Sequence, residues 1–305
     1  MHSLPCERSA CPDPLPSESL SPGQMSWKAK CQGYVIRCQC RDGGFCFYRS
    51  DYSEESNLYD AGWALASLHV LGAEPSEMGA LKNWLAQQSA ALPWSGSLTA
   101  LWSYERTIRF LGQKREADLR ATAERLLASF RLPSEEAIQD WDASGLLRDL
   151  SRLAELCEWL CLTPAASWRS KLASLLSSLR GESGAFLKDR ENLIDSRHAW
   201  TVCRIFSLPV DLQPLLPLAS RKLGLSPLSS PFSAEAESLE GILSGLTILA
   251  ACRRRPKGDA KTALTSQIEG CQADSGGFGR RIGAIPTLED TYYGASSLLC
   301  LEQSA

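Results

Sequence analysis

Gly276-Gly277-Phe278-Gly279-Arg280, followed after a short loop by Leu288-Glu289-Asp290-Thr291-Tyr292-Tyr293-Gly294-Ala295, decides the fold, because the chain writes this unit twice more. Gly43-Gly44-Phe45 precedes Leu58-Tyr59-Asp60-Ala61-Gly62-Trp63, and Gly184-Ala185-Phe186 precedes Leu193-Ile194-Asp195-Ser196-Arg197-His198-Ala199-Trp200. A unit that recurs from residue 43 to residue 293 implies equivalent supersecondary pieces stacked in one array. Two successive glycines permit positive φ and a tight entry into the following segment. Asp60, Asp195 and Asp290 stand near the start of that segment, where an acceptor caps free amide groups.

Outward from these units the chain breaks into paired helical stretches. Segments after the glycine loops, such as 60–71 and 290–301, are apolar or small on most faces, whereas 115–130 and 261–272 carry charge on one side. No alternating Val/Ile/Thr-rich pattern of the kind a sheet needs is present. The expectation is an all-α fold of about twelve helices in six inner and outer pairs, the apolar set inside. The stretch 209–223, interrupted by prolines, is the weakest helix. Residues 1–23, rich in Pro and Ser, read as a flexible arm before one domain over 24–305.

Bulk properties narrow the function. The chain has 305 residues and a formal net charge of -3, with Arg253-Arg254-Arg255 and Lys257 as its basic cluster, which argues against a nucleic-acid surface. Twelve cysteines are few for a chain that builds its own core, so free thiols in a reducing cytoplasm are expected. No apolar run reaches membrane-spanning length, and prolines break the first residues where a signal peptide would lie. A cytoplasmic protein is expected.

The glycine-loop units, with Cys38-Gln39 ahead of the first and Cys271-Gln272 ahead of the last, resemble the prenyltransferase and squalene-cyclase repeat family. That family includes the β subunits of protein prenyltransferases and the domains of triterpene cyclases. The resemblance is strong at both ends of the chain and weak in its middle. It implies an (α/α)6 toroid around an apolar, aromatic-lined cavity, and an isoprenoid or another apolar small molecule as ligand.

The family's zinc ligands come from Asp-x-Cys and Asp-x-x-His motifs. Here Tyr292 stands in place of the Cys and Tyr293 in place of the His, and only Asp195-Ser196-Arg197-His198 keeps the second pattern. Two ligands do not make the three that a catalytic zinc requires, so no metal ligand is assigned. The Asp-x-Asp-Asp acid motif of cyclases and an Asp-Asp-x-x-Asp magnesium motif are both absent, and magnesium would enter only with a diphosphate substrate. Protein prenylation would require a separate α subunit, which nothing in this sequence marks.

The reading is a prenyltransferase-like enzyme that moves a prenyl group from its diphosphate to a small acceptor. The alternatives are a terpene cyclase-like enzyme without the usual acid motif and a non-catalytic lipid-binding or scaffold toroid. Asp195, His198 and Asp290 are the candidate catalytic residues, His198 because its imidazole titrates near neutrality. Arg280, Arg281 and Arg49 are candidates to hold the diphosphate. Trp63, Tyr104, Trp200, Tyr292 and Tyr293 are candidates to line the hydrocarbon or face developing positive charge.

Overall fold

A computed structural model describes residues 26–48, 55–91, 97–112, 117–134, 138, 140–187, 191–225 and 238–303. The expected arm at 1–23 and Arg49 lie outside these residues. Among the described residues the secondary structure is helical, with isolated bridges in the glycine loops and no extended strand.

Among the described residues, twelve α-helices alternate between two kinds. The inner set is α2 (Leu58–Leu71), α4 (Leu98–Phe110), α6 (Asp140–Leu160), α8 (Leu193–Ile205), α10 (Leu239–Ala251) and α12 (Leu288–Glu302). The outer set is α1 (Trp27–Arg37), α3 (Met78–Ala91), α5 (Ala117–Ser129), α7 (Ala166–Leu179), α9 (Leu216–Lys222) and α11 (Gly258–Glu269). The stretch 209–223 folds as a 3-10 turn, Gln213–Leu215, running into the short α9, because Pro214 and Pro217 lack the amides a longer helix needs.

Composition sorts the two layers. Every residue of α2 from Asp60 to Leu68 is buried, and α10 is buried from Leu239 to Leu246, so neither has a face to give to water. By contrast α11 buries only Leu264 and Ile268 and turns its remaining faces outward. Helices apolar all round need neighbours on both flanks, and a ring supplies them. The inner helices pack in the order α2, α4, α6, α8, α10, α12 and back to α2.

Polar capping starts the inner helices. Asn57, Ser97, Asn192, Ser238 and Thr287 each accept a hydrogen bond from the amide three residues on, opening α2, α4, α8, α10 and α12. Such caps stabilise a helix by about 1 kcal/mol each.

The glycine loops bolt neighbouring pairs together. Gln39 bridges to Phe45, Arg180 to Phe186 and Gln272 to Phe278, and all three Phe side chains are buried. Gln39 donates through Nε2 to the carbonyls of Gly43 and of Glu77, just ahead of α3. Gln272 makes the same pair of bonds to Gly276 and to Trp27, the first residue of α1. The last loop therefore grips the first helix as the first loop grips the third, and that bond closes the ring. Gly43 (φ 97°) and Gly276 (φ 93°) sit against the backbones of Ala80 and Lys30, which a Cβ would overlap. The seam is completed by Tyr34 Oη donating to the Pro286 carbonyl at 3.0 Å and Trp27 Nε1 donating to Glu302 at 3.2 Å.

Candidate functional site

All six inner helices contribute side chains to one central cavity of about 380 Å³. Its aromatic wall comes from Trp63 of α2, Trp102 of α4, Trp159 of α6, and Tyr292 and Tyr293 of α12. Trp63 is the hub, with ring centroids 5.8 Å from Trp102 and 5.2 Å from both Tyr292 and Tyr293. The wall is aromatic but not apolar, which corrects the expectation of an apolar lining. Arg106 and Arg109 of α4, Arg148 and Arg152 of α6, and Arg197 of α8 face the same space as Glu155, Glu240 and Glu289.

The three carboxylates are occupied. Trp102 Nε1 donates to Glu155 at 2.6 Å. Glu289 accepts from Tyr59 at 2.8 Å and from Tyr293 at 2.9 Å. Burial and the neighbouring Glu289 carboxylate push the Tyr59 phenol up to about 12, so it stays a donor. Glu240 meets Arg197 at 3.3 Å, and Arg197 Nε also donates to Ser244 at 2.9 Å.

The arginines are only partly spent. Arg197 has Glu240, and Arg152 has the Thr99 hydroxyl at 2.9 Å and half-exposed Asp149 at 3.5 Å. Arg106, Arg109 and Arg148 make no hydrogen bond or ion pair to any of the described residues. Arg106 is buried at 9 % exposure, and its guanidinium carbon lies 3.8 Å from the Trp63 centroid, 4.8 Å from Trp102 and 5.1 Å from Tyr292. Arg109 lies 5.3 Å over Trp159. The site thus offers positive charge in excess of its free carboxylates, a field that attracts an anion.

His198 projects into the same cavity at 8 % exposure, and neither ring nitrogen has a hydrogen-bond partner among the described residues. Its Nε2 lies 3.7 Å from Glu240 Oε1, an ion-pair separation but too long for a hydrogen bond. Burial lowers the imidazole pKa against the opposing pull of Glu240, and Arg197 adds to the lowering, so the ring is neutral at neutral pH. Burial pushes the Glu240 carboxyl up, but the contact with His198 and the charge of Arg197 outweigh it and hold the group below the usual carboxylate range. A neutral imidazole with both nitrogens unspent is equipped to take or give a proton at a bound molecule.

Of the other residues singled out in the sequence, Asp195 and Asp290 are structural neighbours of the helix caps. Asp195 accepts from the Asn192 side chain and from Ser144 at 2.8 Å, while its own amide donates to Asn192 at 2.7 Å. Asp290 makes the equivalent pair of bonds with Thr287, 2.8 and 3.0 Å, and Asp60 does so with Asn57. These reciprocal bonds resemble a capping box with Asp in the third helical position, and none of the three carboxylates lines the cavity. Tyr104 is buried in the apolar core and Trp200 is half-buried on α8, both outside the cavity lining. Arg280 and Arg281 are exposed on the loop before α12, away from that lining.

Arg148, Arg152, Glu155 and Trp159 were the residues sequence reading overlooked. Their spacing of four, three and four puts them on one face of α6. On a sequence alone that charged stripe reads as a solvent face, and only the ring shows that it turns inward. A zinc ion of the family type does not fit this donor set. Among the described residues no three His, Cys, Asp or Glu side chains gather to hold a metal, and Tyr293 spends its hydroxyl on Glu289. The ten described cysteines form no disulfide with one another, and burial raises the Cys31 thiol to about 12. No described helix is long and apolar enough to cross a membrane.

Comparison with known families returns the prenyltransferase alpha-alpha toroid domain, matched over residues 19–99 and 239–305. These are the two stretches that hold the first and last glycine loops and the seam between them. Among curated proteins none matches the chain.

Proposed function

The chain belongs to the prenyltransferase and squalene-cyclase repeat family, and from that membership we propose that its cavity binds an isoprenoid diphosphate and transfers the prenyl group to a small acceptor. The observation that carries this reading is the mixture lining the ring, unspent arginines beside a continuous aromatic wall. A diphosphate needs dense positive charge with planar donors, which guanidinium groups provide. A hydrocarbon and an allylic cation need polarisable ring faces.

In the proposed step the C1–O bond of the prenyl diphosphate breaks and the diphosphate leaves with the electron pair, stabilised by arginines of α4 and α6. The acceptor's lone pair forms the new bond to C1. His198, neutral and unbonded at both nitrogens, takes the acceptor's proton. Initiation by protonation, as in a cyclase, is less well supported, because Glu155, Glu240 and Glu289 are all engaged and Glu240 is held ionised.

The test is release of inorganic diphosphate from dimethylallyl, geranyl or farnesyl diphosphate in the presence of small hydroxyl, amine and thiol acceptors. Release that depends on an acceptor and falls at least about tenfold in Arg148→Ala is expected, one charge-assisted contact being worth about that much. Binding without release would instead favour a non-catalytic lipid-binding toroid.

A further inference from the structure

Arg106 stands out in the cavity because its charge is buried and forms no ion pair with any of the described residues. A guanidinium carries five N–H donors, and none is spent on any of the described residues. Its stabilisation comes from rings on three different helices, Trp63 on α2, Trp102 on its own α4 and Tyr292 on α12. Burying an unpaired cation is costly, and ring faces recover only part of that cost. The same rings form the cavity's most concentrated aromatic surface, and the guanidinium occupies it. Nearby, the Trp63 indole N–H, the Ser296 hydroxyl and both His198 nitrogens are also buried without hydrogen-bond partners among the described residues, so several unspent polar groups face the same space as Arg106.

We propose that Arg106 is the specificity-determining residue of this cavity: stacked among Trp63, Trp102 and Tyr292, it makes the aromatic box a seat for the phosphate end of the ligand and denies that box to hydrocarbon. The proposal rests on the isoprenoid-diphosphate reading and divides the cavity for it. The anionic end docks on the free N–H edge of Arg106 with the rings behind it. A phosphate-free isoprenoid alcohol, which has no charge to offer Arg106, is excluded from the box. Replacing Arg106 by a hydrophobic residue therefore exchanges one ligand preference for the other.

The experiment is isothermal titration of the full chain with inorganic pyrophosphate and, separately, with geraniol, followed in parallel by tryptophan fluorescence. The wild-type protein should bind pyrophosphate with a change in emission, because the guanidinium lies against Trp63 and Trp102, and should not bind geraniol. Arg106→Leu should weaken pyrophosphate by about tenfold or more, abolish the emission change and bind geraniol. Arg106→Lys, which keeps the charge but loses the planar fork, should retain weakened pyrophosphate binding and still refuse geraniol. If Arg106→Leu does not fold, as judged by circular dichroism, Arg106→Lys decides: unchanged pyrophosphate affinity and emission response overturn the proposal. Pyrophosphate binding that Arg106→Leu leaves intact overturns it too, as does loss of pyrophosphate without any gain of geraniol. A wild-type protein that binds geraniol as tightly as pyrophosphate also refutes it. Wild-type binding of pyrophosphate without binding of any prenyl diphosphate would sink the isoprenoid reading while leaving Arg106 as an anion site.

Discussion

At the level of single residues, the chemistry of this protein concentrates where charge is buried inside aromatic surface. His198 is the clearest titratable case. Burial lowers its affinity for protons in the fold, so the unfolded chain takes up a proton first as pH falls through 6.5, its ordinary value. The contribution of His198 is therefore complete above that pH and is lost on acidification below it. Glu240, held below its ordinary 4.5, enters only at more acid pH. Urea denaturation between pH 7.5 and 5 should show wild-type stability falling with pH, and His198→Asn should flatten that slope. An identical slope in the variant would remove His198 from the account. His198 was legible in the sequence, three residues beyond Asp195 on the same helical face. Arg148 and Arg152 were not, because a charged stripe on an isolated helix has no sign that tells cavity from solvent. The acidic candidates Asp195 and Asp290 bond to the helix caps, and a capping carboxylate and a catalytic one look alike in a sequence.

At the level of elements, the recurring unit is a device for starting an inner helix and fastening it to its neighbours. Asn192 caps α8 and binds Asp195 in return, so Asn192→Ala should cost about 1–2 kcal/mol in denaturant unfolding. Gly43 carries two constraints at once, a positive φ and contact with the Ala80 backbone. Gly43→Ala should therefore destabilise by about 2 kcal/mol or more, beyond the helix-propensity gain that alanine brings elsewhere. A neutral outcome in equilibrium unfolding would mean that the loop does not seat on α3 as described. The helices themselves were readable from apolar content and period, down to the proline-cut stretch at 209–223.

At the level of the whole molecule, the decisive feature is closure. The inner helices return from α12 to α2, and Gln272, Tyr34 and Trp27 stitch the last loop and helix to the first. Phe278 is fully buried beneath that seam, edge-on to Trp27 at 6.5 Å. Phe278→Ala should cost about 3–5 kcal/mol. Because the ring shares its seam with both ends of the chain, the variant should unfold in one earlier transition by heat or urea, not in two. A separate early transition confined to the terminal helices would show that the seam is an appendage and that the array is stable open. The repeat allowed a ring that hides the end faces of stacked pairs, and the family resemblance implied one, but periodicity alone did not show closure. What periodicity could not show was the content of the ring, because a cavity belongs to no single segment. Its arginines come from three helices and its rings from four, and only their convergence sets guanidinium charge beside aromatic surface. That convergence is tested most directly by native mass spectrometry of the full chain titrated with geranyl diphosphate, comparing wild type with Arg148→Ala. Saturable retention of one geranyl diphosphate per chain, weakened about tenfold or more in the variant, is the expected result, and a wild-type protein that retains none would contradict the proposed anion seat.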